Sequence, residues 1–310
     1  MTDRTVYLFG AAATAAGAGL MLAVQQPGTS GLAWIAYLIM QAVVLRWGLA
    51  VYGPAGGLAA LLVSACAAPL LGEAGLGAAA AWVLSAYVTA RCLSDPTIQS
   101  VLAIGLAALA TVALSGRPAL LPPLLGYALL LALLRTATAQ RWEPRGRVLH
   151  ASLAAALLGW GMVAAIAWLF GRVAHLPAVD DFSAAPHALR LAAAAVDAAA
   201  PLGVAWLCVP LLLVVLRPWR RQRRYSDGAW LLALLCVLAA RARRSSGSDV
   251  EIAAVLPFVA LLAGAAWDAS RPQWLRRSAS AMLALHVLLS LSTALHVRQA
   301  RPAASVVRPA

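Results

Sequence analysis

Long, predominantly apolar runs recur along this 310-residue chain, and the short segments between them carry nearly all of its charge. The runs occupy 6–24, 31–51, 54–71, 75–90, 98–114, 119–134, 151–170, 201–216, 229–240, 252–267 and 278–296. All but one are 16 to 21 residues long, the length of helix that crosses about 30 Å of hydrocarbon at about 1.5 Å per residue. Hydrocarbon offers no partner to a backbone N–H or C=O, so each run predicts an α-helix that satisfies its own backbone. The expected fold is therefore all-α: a polytopic transmembrane helical bundle of about eleven spans, one domain over 1–296, followed by a short basic tail at 297–310. The run at 229–240 has only 12 uncharged residues. It is expected either to borrow 225–228 while its flanking arginines snorkel, or to be re-entrant.

Composition closes the alternatives. At 63% hydrophobic, 11% charged and a mean hydropathy of +0.82, the chain has more apolar surface than a soluble fold can place inside. The same figures exclude a disordered chain. Cys66, Cys92, Cys208 and Cys236 lie in or beside apolar runs with no CxxC pair, which predicts small buried hydrophobes and neither a disulfide nor a zinc site. The first run resembles a signal peptide in place but is long for one, and is expected to be retained as a helix.

The net charge of +13 comes wholly from arginine, because the chain contains no lysine; asparagine is also absent. That bias points to a GC-rich coding sequence and, with the topology, to the inner membrane of a bacterium. A nucleic-acid binder would gather such charge in one stripe with interleaved aromatics. Here it sits between spans, where it sets topology and meets anionic lipid, so no nucleic-acid partner is expected. A cytoplasmic N-terminus puts the arginine-rich loops at 135–147, 217–224 and 271–277 on the inner side, as the positive-inside rule requires. Fifteen arginines then face inward and nine outward, for net charges of +10 and +3. Trp142, Trp219 and Trp274 in those loops are expected to anchor at the interface.

The remaining ionisable groups yield the candidate chemistry. Glu73, between the third and fourth runs on the outer side, is a candidate base or a plain interfacial carboxylate. Asp180 and Asp181, flanked by His175 and His187, offer ligands for a divalent cation or an acid–base pair; adjacent aspartates also cap turns. Arg241, Arg243 and Arg244 stand on the side that short basic loops avoid, which marks them as candidates to hold a lipid phosphate. Asp249 and Glu251 are close enough in sequence to neutralise them. Arg46 is expected to snorkel, and His286 to be a hydrogen-bonded interior histidine or a proton relay. No phosphate-cradling glycine loop, Ser-His-Asp set or HExxH sequence occurs.

The order of several segments resembles the GT-C membrane glycosyltransferases, in the branch of the protein mannosyltransferases and the lipid A aminoarabinose transferase. LRWGLAVYGPAGGLAALLVSACAAPLL is similar to the stretch in which a helix of that group reaches the cytoplasm, turns and re-enters. LATVALSGRPALLPPLLGYALLLALL is similar to its L-T-K-G-P helix start, with Arg117 in place of lysine. SSGSDVEIAAVLPFVALLAGAAW is similar to its tenth-span segment, with Glu251 at a tyrosine position, Ala254 at the first proline and Pro257 at the second. The resemblance implies transfer of a sugar from a polyprenyl-phosphate donor at the outer face. In that group a carboxylate in the first outer loop acts as base or metal ligand; here that loop is QQPGTSG and carries none. The resemblance thus describes a divergent or degenerate transferase, with a non-catalytic integral membrane partner of a transferase as the alternative and a small-molecule transporter as a third.

Overall fold

A computed structural model describes residues 3–24, 30–68, 71, 73–115, 121–139, 143–169, 224–242, 253–267 and 273–299. Among them all regular structure is helical: α1 (Asp3–Val24), α2 (Gly31–Ala67), α3 (Glu73–Ser94), α4 (Ile98–Ser115), α5 (Leu121–Ala137), α6 (Arg145–Leu169), α7 (Arg224–Ala242), α8 (Leu256–Gly264) and α9 (Gln273–Gln299). Five of these, α1, α2, α3, α4 and α6, contain stretches long and apolar enough to cross a membrane. Shorter apolar stretches lie in α5 and α7. Leu8, Leu22, Leu106 and Leu158 are each more than 60% exposed on the outside of the bundle. An outer surface this apolar suits hydrocarbon and not water.

The 37 residues of α2 form a hairpin of two helices. Gly53 breaks the helical backbone with φ 77° and ψ −171°, and Pro54 begins the second half. In an unbroken helix Gly48 and Gly57 would be about 13 Å apart. Instead, a Cβ built on Gly48 would lie 2.8 Å from the Gly57 Cα, so the halves fold back on each other almost backbone to backbone. The packing of α1 gives the same result. Gly10 meets Leu45 and Leu61, whereas Gly17 meets Tyr37 and Ala65; α1 therefore runs antiparallel to the first half and parallel to the second. The turn at Tyr52–Pro54 falls where the sequence places the boundary between its second and third runs.

Pairings elsewhere fix the directions of the other helices. Ser30 meets Glu73 and Trp47 meets Tyr87, so α3 runs alongside the first half of α2. Gly77 abuts Leu114, and Ser85 bonds the Ala107 carbonyl at 3.1 Å, which makes α4 antiparallel to α3. Tyr127 bonds the Ala86 carbonyl at 3.2 Å and Arg135 the Ser94 carbonyl at 3.3 Å; α5 therefore descends with α3. The Tyr225 hydroxyl donates to the Ala90 carbonyl at 2.8 Å, placing the start of α7 at the end where α3 finishes. Ala253 touches Gly75 while Gly264 meets Gly56, so α8 runs from the end where α3 begins to the end bearing the Gly53 turn. We call the latter the basal end and the opposite one the distal end.

The tenth expected span differs from its expectation. In place of a continuous helix over 252–267, a turn at 254–255 precedes the nine-residue α8, and a 3-10 turn (Ala265–Trp267) closes it. Pro257 in the first turn suits a helix start, where a missing N–H costs nothing. Every residue from Leu256 to Gly264 is buried. At about 1.5 Å per residue, nine residues reach about 13 Å, so α8 is a core plug enclosed by longer helices. The expected run at 201–216 lies outside the described residues.

Small residues permit these approaches, as is usual where helices gain nothing from excluding water. Gly56 and Gly264 face each other so closely that a Cβ on either would lie within 2.8 Å of the other's carbonyl oxygen. Between α3 and α4, the Ser85 hydroxyl also touches that of Thr111, and the Thr111 hydroxyl donates to the Ala107 carbonyl at 2.9 Å. The aromatic side chains of Trp47, Tyr87 and Phe258 join α2, α3 and α8, with Trp47 5.5 Å from Tyr87 and 6.3 Å from Phe258 between ring centroids.

Two substitutions separate the two properties of the turn. A Cβ on Gly53 meets nothing within 4 Å, so Gly53→Ala is expected to cost about 1–3 kcal/mol through the backbone conformation alone. Gly48→Leu, by contrast, is expected to force the halves apart and cost about 1–3 kcal/mol or more by overpacking. Denaturant titration of the detergent-solubilised protein measures both. Unchanged midpoints for both variants would contradict the hairpin.

Candidate functional site

The distal end holds the first candidate carboxylate. Glu73 opens α3, where a negative charge is favoured by the positive end of the helix dipole. Its Oε1 accepts the Ser30 backbone N–H at 2.7 Å, and its Oε2 accepts the Ser30 hydroxyl at 3.2 Å. Ser30 in turn caps α2, its Oγ accepting the Ala33 N–H at 3.3 Å. The carboxylate thus joins the N-termini of two parallel helices and satisfies a backbone donor that α2 leaves free. It remains exposed. Both of its oxygens already accept a hydrogen bond, so its structural role as an interfacial tie is plain in the geometry.

The other candidates distribute unevenly. α7 ends at Ala242, which puts Arg241 in its last turn at the distal end. Ala253, the first described residue after that helix, touches Gly75, two positions from Glu73. The structure therefore brings the chain on the C-terminal side of the Arg241–Glu251 segment to the corner occupied by Glu73. Arg243, Arg244, Asp180, Asp181, His175 and His187 lie outside the described residues. Among the described residues no group of three His, Cys, Asp or Glu could hold a metal ion.

The basal end is basic. Arg91 and Arg135 occupy the last turns of α3 and α5, where a cation is favoured by the negative end of the dipole. Arg145, Arg147, Arg276 and Arg277 occupy the first turns of α6 and α9 and are exposed. One of these arginines is firmly tied. Arg135 holds Glu143 through two bonds of 3.1 and 3.0 Å while its Nε donates to Ser94, locking α3, α5 and the start of α6 together. Arg46 is exposed beside the Tyr7 and Tyr87 hydroxyls, in line with a snorkelling side chain.

The remaining expectations are partly visible. His286 is buried, with Nε2 3.4 Å from the Val63 carbonyl, an interior histidine tying α9 to the α2 hairpin. Cys66, Cys92 and Cys236 are free and half-buried; Cys208 lies outside the described residues. Trp274 is 67% exposed at the basal end, whereas Trp142 and Trp219 lie outside the described residues. Sequence reading missed the tyrosine locks of Tyr127 and Tyr225 on α3 carbonyls. Their only sequence signal is a tyrosine inside or at the start of an apolar run, where a buried hydroxyl needs an acceptor.

Comparisons with protein-family models, curated proteins and solved structures each return no match. The chain is, by its own helices, an integral membrane protein.

The Glu73–Ser30 tie makes a quantitative prediction. Glu73→Ala and Ser30→Ala are each expected to destabilise the protein by about 1 kcal/mol. The double variant should cost clearly less than the sum, because the two residues form one unit. A double-mutant cycle by thermal unfolding in detergent reads the coupling between the Ser30 hydroxyl and Glu73, and strict additivity would show that this side-chain bond does not form.

Proposed function

We propose that the chain is a divergent GT-C-like membrane glycosyltransferase, taking a sugar from a polyprenyl-phosphate donor at the distal end, which faces away from the cytoplasm. The observation that carries this reading is the meeting of Gly75 and Ala253. It puts Glu73 at the same corner as the chain that follows Arg241, Arg243, Arg244 and Glu251. Transfer from such a donor needs a carboxylate to take the acceptor's proton and cations to stabilise the departing lipid phosphate. In this reading Glu73, Asp180 and Asp181 supply the carboxylates and the three arginines the cations. The basal arginines face the cytoplasm, in keeping with the positive-inside rule. The full count of about eleven spans belongs to the same proposal.

One observation favours a second reading. Both oxygens of Glu73 accept hydrogen bonds from Ser30, a use that suits a retained framework without its chemistry. In that case the chain is an integral membrane partner of an active transferase.

Proteoliposomes containing only this protein distinguish the two. The first reading expects transfer of a labelled sugar from a polyprenyl-phosphate carrier, with a loss of at least tenfold in Glu73→Gln or in Asp180→Asn/Asp181→Asn. Absence of transfer, together with co-purification of a second integral protein from native membranes, establishes the partner reading instead.

A further inference from the structure

At the basal end, away from the proposed transfer site, a shallow cavity of about 370 Å³, open to the outside, lies between the 3-10 turn and the first two turns of α9. Its walls are Trp267, Gln273, Arg276, Arg277 and Ser280. On α9 these positions are i, i+3, i+4 and i+7, a single helical face. In the interior of a bundle that face would be apolar, to pack on a neighbour. Here it presents an amide, two guanidinium groups and a hydroxyl to an open space backed by the indole of Trp267.

Among the described residues no carboxylate answers the charge in that space. The ion pair present among the described residues is Arg135–Glu143, and neither Arg276 nor Arg277 has a carboxylate partner there. Across 267–280 the sequence carries Arg271, Arg276 and Arg277 against the single Asp268, so the segment stays positive even with one pair formed. The cavity also lies at the first turn of α9, whose unbonded N–H groups add partial positive charge. The Ser280 hydroxyl is already used, donating to the Arg276 carbonyl at 2.9 Å. Donors to a ligand therefore come from the two guanidinium forks and the Gln273 amide. Guanidinium forks match the paired oxygens of a phosphate, and an indole at the membrane interface suits the glycerol and upper acyl region of a lipid.

We propose that this cavity is a phosphate site, held by Arg276 and Arg277 and closed on one side by Trp267, that takes the phosphodiester headgroup of an anionic phospholipid or a free phosphate of the same chemistry. The site is independent of the distal transfer reading, since neither the residues nor the end of the bundle are shared.

Native mass spectrometry of the delipidated protein in detergent tests the assignment. Phosphatidylglycerol and phosphatidylcholine are titrated separately, and phosphatidylglycerol again in the presence of millimolar inorganic phosphate. The expected result is preferential retention of one phosphatidylglycerol, weakened at least tenfold in Arg276→Gln/Arg277→Gln. Arg145→Gln/Arg147→Gln removes the same charge from exposed positions at the same end and is expected to retain the lipid as the unsubstituted protein does. Displacement by inorganic phosphate identifies the phosphate group as sufficient; retention despite it identifies the lipid as the source. Equal loss in both double variants would reduce the effect to general surface charge and overturn the site. So would equal retention of the two lipids, or binding indifferent to Arg276 and Arg277.

Discussion

The backbone contact between Gly48 and Gly57 is the constraint on which the rest of the arrangement depends. A helix pair in hydrocarbon gains little from excluding water, so its association rests on how closely two backbones approach. Gly53 supplies a conformation that reverses the chain, and the two flanking glycines let the halves close. Once closed, the hairpin gives three neighbours their places. α1 inserts against both halves through Gly10 and Gly17, α3 lies along the first half through Trp47 and Tyr87, and α8 reaches Gly56 through Gly264.

Charge then divides between the two ends as the helix directions dictate. Arg91 and Arg135 sit at helix C-termini and Glu73 at an N-terminus, so each stands where the backbone dipole favours its sign. The two ends differ in kind as well as in sign. At the basal end Arg135 converts a loop into a brace by gripping Ser94 and Glu143 at once. At the distal end Glu73 does the corresponding work for α2 and α3, but from an exposed position where its carboxylate is also open to other partners.

Periodicity and breaks were legible in the sequence where the physics is local. Among the described residues most apolar runs long enough to cross hydrocarbon became helices, and Gly53–Pro54 divided two runs because glycine and proline act on their own backbone. The borrowed turn before 229–240 followed as well, for α7 begins at Arg224. What stayed hidden depends on contacts distant in the chain. The apolar content of 252–267 is that of a span, and nothing within it reveals that only nine residues form the α-helix and that all are enclosed. Glu73 reads equally as a base or a tie until Ser30, 43 positions earlier, is seen to donate to it twice. Arg276 and Arg277 read as topology markers, because their shared face with Gln273 and Ser280 matters only once the 3-10 turn bearing Trp267 stands opposite.

The enclosure of α8 bears on how the protein is made. α8, the most apolar of the described helices, emerges from the ribosome some 190 residues after the α2 hairpin it fills. Being about 13 Å long, it is too short to settle in lipid as an independent stretch of hydrocarbon-facing chain. During synthesis the surfaces of Trp47 and Gly56 therefore wait for a late segment, and the bundle acquires its centre only when the C-terminal quarter of the polypeptide arrives. Biogenesis of this chain is in that sense a problem of timing, with the core sealed from its far end.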